Sequence, residues 1–151
     1  VARSFSLDSN ILLIWQSSES KHTSEYIDHP DWKSSITRAG DAAVDRLATK
    51  QWDASIWSEL LKEAQTFGRM SKMLEEPSRQ SMLATVQSVI NELNLQAKIR
   101  ARLCMLGTSC VLLPSKANDP IEESDLRLLS ERLRPLGLDS LATRIAPQRF
   151  V

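Results

Sequence analysis

The feature that most constrains this chain is the stretch 53–113, where apolar residues return at helical spacing. Ile56, Leu60, Leu61, Ala64, Phe67, Met70 and Leu74 recur at three- and four-residue steps. After Glu76-Pro77-Ser78 breaks the run, Met82, Val86, Ile90 and Leu93 repeat the pattern. Residues three and four apart share one side of a helix, so each stretch offers a single apolar stripe to a core. Ile99, Leu103, Leu106 and Cys110 continue the spacing. This predicts that helix carries on, or resumes after a short turn near 91–94, until Leu113-Pro114 stops it.

The rest of the chain fits the same scheme. Pro30 suits the first turn of a helix, where its missing N–H costs nothing. Asp28 is the expected cap there, and Trp32, Ile36, Ala39, Ala43 and Leu47 form the buried stripe. Gly40 within it predicts a close helix–helix contact, since glycine otherwise weakens a helix by roughly 1 kcal/mol. Asp53 and Ser78 are the expected caps of the next two helices. Asp119-Pro120-Ile121-Glu122 gives a cap, a proline at the first helical position and an acid at the third. It opens a helix to about Arg134 that buries Ile121, Leu126, Leu129 and Leu133. Asp139 is read as the cap of a last short helix. Near the start, the run 11–15 (ILLIW) is read as a short helix, with a buried strand as the alternative, because five apolar residues do not settle the period. The expected fold is all-α: a compact bundle of six or seven helices, or stacked helical hairpins.

A chain of 151 residues suits one domain, residues 1–151, with a polar loop near 17–29. It begins at Val1 rather than methionine, which predicts a piece of a longer protein or a processed product. Hydrophobic residues at 42% and charged residues at 25% argue against wholesale disorder. Nineteen basic and nineteen acidic residues cancel, which argues against a dedicated nucleic-acid binder but leaves room for a local basic patch. Four glycines are poor material for phosphate loops or tight hairpins. No apolar run is long enough to cross a membrane. Two cysteines are too few for a disulfide framework, so an intracellular protein is expected. On one helix Cys104 and Cys110 would stand roughly 9 Å apart along the axis, beyond disulfide reach. A break at Gly107 is the route by which they would pair; free buried thiols are the expectation.

Candidate chemistry is thin. His22, Glu25, Asp28, His29 and Asp31 cluster in sequence, but their spacing matches no standard metal pattern. Cys104 lies in an apolar stripe, where a structural role is the common one. Carboxylate pairs such as Glu75-Glu76 and Glu122-Glu123 fall at expected helix ends, and no glycine-rich phosphate loop occurs. The expectation is therefore no enzyme, no metal and no cofactor.

Two features point to binding instead. Lys98, Arg100, Arg102 and Lys116 are the charges between Leu95 and Ala117, with no acid among them. On a helix Lys98 and Arg102 would share a face, with Arg100 away from them; Arg69, Lys72 and Arg79 would join if the neighbouring helix packs alongside. All four tryptophans (15, 32, 52 and 57) fall in the first part of the chain. Trp32 and Trp57 fit core stripes, while Trp52, at a helix junction, is the one placed to anchor a partner.

The segment Trp57-Ser58-Glu59-Leu60-Leu61-Lys62-Glu63-Ala64 resembles the opening helix of TPR-like or HAT-type helical repeats. The likeness ends there: Pro77 comes early, and no second copy follows at the roughly 34-residue period of such repeats.

These readings predict a non-enzymatic helical domain that binds a short amphipathic helix or peptide of another protein in an inter-helix groove. Its walls would come from 53–76 and 78–113, with Lys98 and Arg102 as rim charges and Trp52 as anchor. The alternative is a nucleic-acid-associated module using Lys98, Arg100 and Arg102. No membrane partner is expected.

Overall fold

The computed structural model describes residues 5–17, 29–104 and 107–145. Its fold is mixed α/β. Four helices, α1 (Pro30–Leu47), α2 (Trp57–Met70), α3 (Pro77–Glu92) and α4 (Glu123–Leu133), accompany four strands. The strands are β1 (Ser9–Gln16), β2 (Ile99–Leu103), β3 (Ser109–Pro114) and β4 (Leu138–Ile145). They form one sheet in the order β2-β3-β1-β4, with every neighbouring pair antiparallel. An all-α helical bundle is thus overturned in three places: the run 11–15, the stretch after Leu95, and the segment opened by Asp139.

Each place has a physical reason. The run 11–15 is a central strand, and its partners lie about a hundred residues downstream: Leu13 pairs with Val111 on one side and Leu141 on the other. Local periodicity cannot register pairing at that distance. After α3, Asn94 takes a left-handed conformation at φ 57° and Leu95 to Lys98 form a turn. Beyond it, β2 and β3 make a hairpin in which Gly107 sits at φ 60°, a conformation that disfavours a side chain. The steps linking Ile99, Leu103 and Cys110 fit a helix, but the same residues lie on one side of this hairpin. Ile99, Cys110, Leu112 and Pro114 are buried on that side. Leu106 lies outside the described residues.

The core sits between one sheet face and α3 with α4. Leu12 and Ile14 of β1 and Cys110 and Leu112 of β3 meet Met82, Val86, Val89 and Ile90 of α3. Leu126, Leu129 and Leu133 of α4 join the same cluster. Helix α3 lies over β2 and β3, and α4 over β1 and β4. The proline signal at 120 leads into α4, but later than expected: the helix starts at Glu123. Ile121 instead bridges to β1, its N–H donating to Ser9 Oγ (3.1 Å) and its carbonyl accepting from Asn10 Nδ2 (3.0 Å). Those tertiary bonds hold the chain extended where a local signal favours helix.

Helices α1 and α2 stand beside this sandwich. The position of a Cβ on Gly40 in α1 lies 4.0 Å from the Phe67 ring of α2, so the two helices do approach at that glycine. Arg46 and Glu63 tie them by a two-pronged pair at 2.7 and 2.8 Å, and the Arg46 hydrogen bond holds the Glu63 carboxyl below its usual range. Asp53 caps the turn before α2 by accepting from the Ser55 N–H at 2.8 Å. Helix α3 has Glu76 at its N-cap position, while the Ser78 hydroxyl lies 3.4 Å from that of Thr108. In turn α2 packs along β2, and the Trp57 indole donates to the Pro114 carbonyl at 2.7 Å.

Candidate functional site

Strand geometry redistributes the basic residues. Arg100 and Arg102, two apart on β2, lie on the same face of the sheet, the one turned away from α3 and α4. A helical reading separates them and pairs Lys98 with Arg102; alternation with period two brings the two arginines together. Lys98 is exposed in the turn before β2. Arg79 belongs to no basic surface. It is fully buried in the first turn of α3, its Nε 3.4 Å from the Glu76 carboxylate.

The Arg102 side chain is fixed by its own structure. Its Nε donates to the Leu61 carbonyl of α2 (2.7 Å) and one Nη to the Ala101 carbonyl (2.8 Å). Arg100 donates to the carbonyls of Gln96 and Ile99. Burial lowers the Arg102 pKa, and the nearby charges of Arg100 and Arg69 lower it further. Guanidinium stays charged regardless, so three cations are held near one another. Among the described residues, none of these three arginines takes part in an ion pair.

A crevice of about 100 Å³ opens beside them. One wall is α2 and the turn after it, with Ala64, Gln65, Gly68, Arg69 and Leu74; the other is Leu83 of α3 with Ala101, Arg102 and Leu103. The floor is aliphatic and the rim carries Arg69 and Arg102. Its second wall is mainly a strand, not the helix expected from the sequence. Trp52 lies elsewhere: it is half-buried, with its ring 6.4 Å from that of Phe5, which also meets Trp57 at 6.3 Å. Trp15 is the tryptophan that the structure leaves most open, at 40% exposure on the outer sheet face. Only its place in a strand reveals this.

A second groove, of about 670 Å³, runs between α3 and α4. The Arg132–Glu92 ion pair spans it at 2.6 Å, and Glu131 adds a further carboxylate to its lining, so the groove is acidic on balance.

Both cysteines are free. Cys110 faces the core and Cys104 follows β2, its N–H donating to the Ser109 carbonyl, so the two side chains take opposite faces of the hairpin. Burial pushes the Cys110 thiol up to about 12 and raises Cys104 as well. Since the thiolate is the reactive form, a thiol reagent near neutral pH is expected to modify half-buried Cys104 slowly. Cys110 should react only after denaturation. Mass spectrometry of the labelled native chain checks this; rapid labelling of Cys110 would contradict its placement.

Of the metal candidates, His22, Glu25 and Asp28 lie outside the described residues. Among the described residues, no group of three His, Cys, Asp or Glu side chains is placed to hold a metal, and no helix is long and apolar enough to cross a membrane. No family model, curated protein or solved structure matches the chain.

Proposed function

We propose that this chain is a protein-interaction module that takes an acidic segment of a partner, carrying one apolar residue, at the crevice between α2 and β2. The observation that carries this reading is the convergence of Arg69, Arg100 and Arg102 beside an aliphatic pocket, with no carboxylate of the described residues paired to them. Like charges held together repel, and an acidic ligand relieves that repulsion. The pocket suits a leucine-sized side chain, and the rim suits aspartate or glutamate on either side of it. The role proposed for the crevice is binding: its charged lining is Arg69 and Arg102, which stay protonated and offer neither a nucleophile nor a general base. The proposed setting is intracellular, consistent with free cysteines facing opposite ways.

Binding of nucleic acid by the same arginines is the rival reading. The balanced charge of the whole chain favours the peptide. So does the absence of aromatic rings among the described residues that line the crevice, since bases need stacking platforms.

The test is fluorescence anisotropy with a labelled peptide of aspartate and glutamate around one leucine, against a single-stranded RNA of equal charge. The peptide is expected to bind, and Arg69→Glu with Arg100→Glu to weaken it by about tenfold or more. Substituting the leucine by serine should also weaken it. Equal peptide binding by the double variant would overturn the proposal. Tighter RNA binding with steep salt dependence, lost in that variant, would transfer the site to nucleic acid.

A further inference from the structure

The two edges of the sheet differ. Strand β2 has α2 packed along it and Arg102 bonded across to Leu61. Strand β4, at the other edge, pairs with β1 alone among the described residues. Asp139, Leu141, Ala142, Thr143 and Arg144 are all exposed, with Leu141 at 55%. Edge strands are normally blunted by proline, lysine, bulges or a covering element, because their open N–H and C=O groups otherwise recruit another strand. Strand β4 has no proline or lysine, and its pairing with β1 runs unbroken from Leu138 to Ile145 without a bulge. Its one cation, Arg144, is engaged by Asp8 of the same chain at 2.7 Å.

We propose that β4 pairs with β4 of a second copy of this chain, antiparallel about a two-fold axis at Leu141, joining the two sheets into one. Symmetry and register select this arrangement. Antiparallel neighbours related by a two-fold axis keep the same sheet face outward, so each outer-face residue meets an outer-face residue. Only registers that place some residue opposite its own counterpart satisfy this.

Centred on Leu141, the register sets Leu141 opposite the partner's Leu141 and Asp139 opposite the partner's Thr143. That hydroxyl can donate to the carboxylate, and symmetry makes the contact twice. Ser140 meets the partner's Ala142, the partner's Arg144 comes opposite Leu138, whose side chain is turned into the core, and no like charges face each other. Centring on Ala142 instead sets Asp139 against the partner's Ile145, a poorer match.

The same register extends a row already present. Arg102, Val111, Leu13 and Leu141 lie side by side across the four strands on the outer face. Joined at Leu141, the two rows become one apolar band across both protomers, with an Arg102 at each end. This explains why an exposed leucine stands at the middle of an open edge. The self-pairing lies at the sheet edge opposite the α2–β2 crevice and does not depend on the crevice binding anything.

Sedimentation velocity of the whole chain over a concentration series tests the proposal. The expected result is a monomer–dimer equilibrium with a limiting mass twice that of the chain. Leu141→Lys places two ammonium groups opposite each other at an exposed position; it should give a monomer with an unchanged circular dichroism spectrum. Thr143→Asp sets two carboxylates opposite each other in each of two places and should weaken the dimer by about tenfold or more. Adding Asp139→Lys to Thr143→Asp should restore it, because the introduced ammonium then faces the introduced carboxylate across the two-fold axis. A monomer at every concentration, or a dimer indifferent to Leu141→Lys and Thr143→Asp, overturns the proposal. If Leu141→Lys alters the fold, loss and recovery in the charge pair decide the question: recovery supports it, and no recovery overturns it.

Discussion

Arg79→Ala is expected to lower the unfolding free energy by about 3 kcal/mol, the scale for removing one member of a buried ion pair. Arg79 stands in the first turn of α3 with its side chain fully buried, and its Nε lies 3.4 Å from the Glu76 carboxylate, itself only 12% exposed. Alanine would leave that carboxylate in a poorly solvated place without its cation and would empty the volume of a long side chain. A domain of this size has roughly 5–15 kcal/mol in all, so the loss should be plain in urea denaturation. Glu76→Gln in the Arg79→Ala background should cost much less than it does alone, because the ion pair has already gone. A change below about 0.5 kcal/mol for Arg79→Ala, the range of ordinary surface substitutions, would show that the guanidinium is not buried.

The second large effect is a contrast between neighbours. Leu112→Ala should cost about 3 kcal/mol, since Leu112 is wholly buried in the core beneath α3 and its removal leaves a cavity. Leu113→Ala should cost about 1 kcal/mol or less, because Leu113 is half-buried on the outer face beside Arg100. Cys110 and Val111 should repeat the contrast at smaller scale. A period of two in the cost, measured by denaturant unfolding at each position, is a property of a strand. Comparable losses at Leu112 and Leu113 would contradict the sheet.

What the sequence reveals of this fold follows the range of the forces involved. The helical stripes of α2 and α3 are local, and their apolar residues are readable: Leu61, Met82, Val86 and Ile90 are buried. The same holds for Leu126, Leu129 and Leu133 in α4, and for the glycine contact between α1 and α2. The sheet is another matter. Its order brings together residues 9–16, 99–103, 109–114 and 138–145, and no short window contains two of its strands except the β2–β3 hairpin. In that hairpin the core-facing Ile99, Leu103 and Cys110 sit at steps of four and seven, which a helix also satisfies. The alternation Ile99-Arg100-Ala101-Arg102-Leu103 is the available sign of a strand, and Gly107, left-handed in the structure, the sign of its turn.

The candidate site is legible in kind but not in grouping. An acid-free basic stretch at 98–102 is visible in the sequence, and the crevice lies between two of the stretches expected to wall a groove. Which cations converge depends on the period. Arg69 enters through packing of α2 against β2, and Arg79 leaves through burial. Trp52 stands out in the sequence for its place at a junction; its contact with Phe5 is a tertiary fact that the junction does not disclose.

An NMR titration of the isotopically labelled chain with the aspartate–glutamate peptide around one leucine locates binding residue by residue. Binding in the crevice should give amide shift changes confined to residues 64–69, 74, 83 and 98–103, saturating together. Changes centred on the α3–α4 groove or on β4, or none at all, would contradict it.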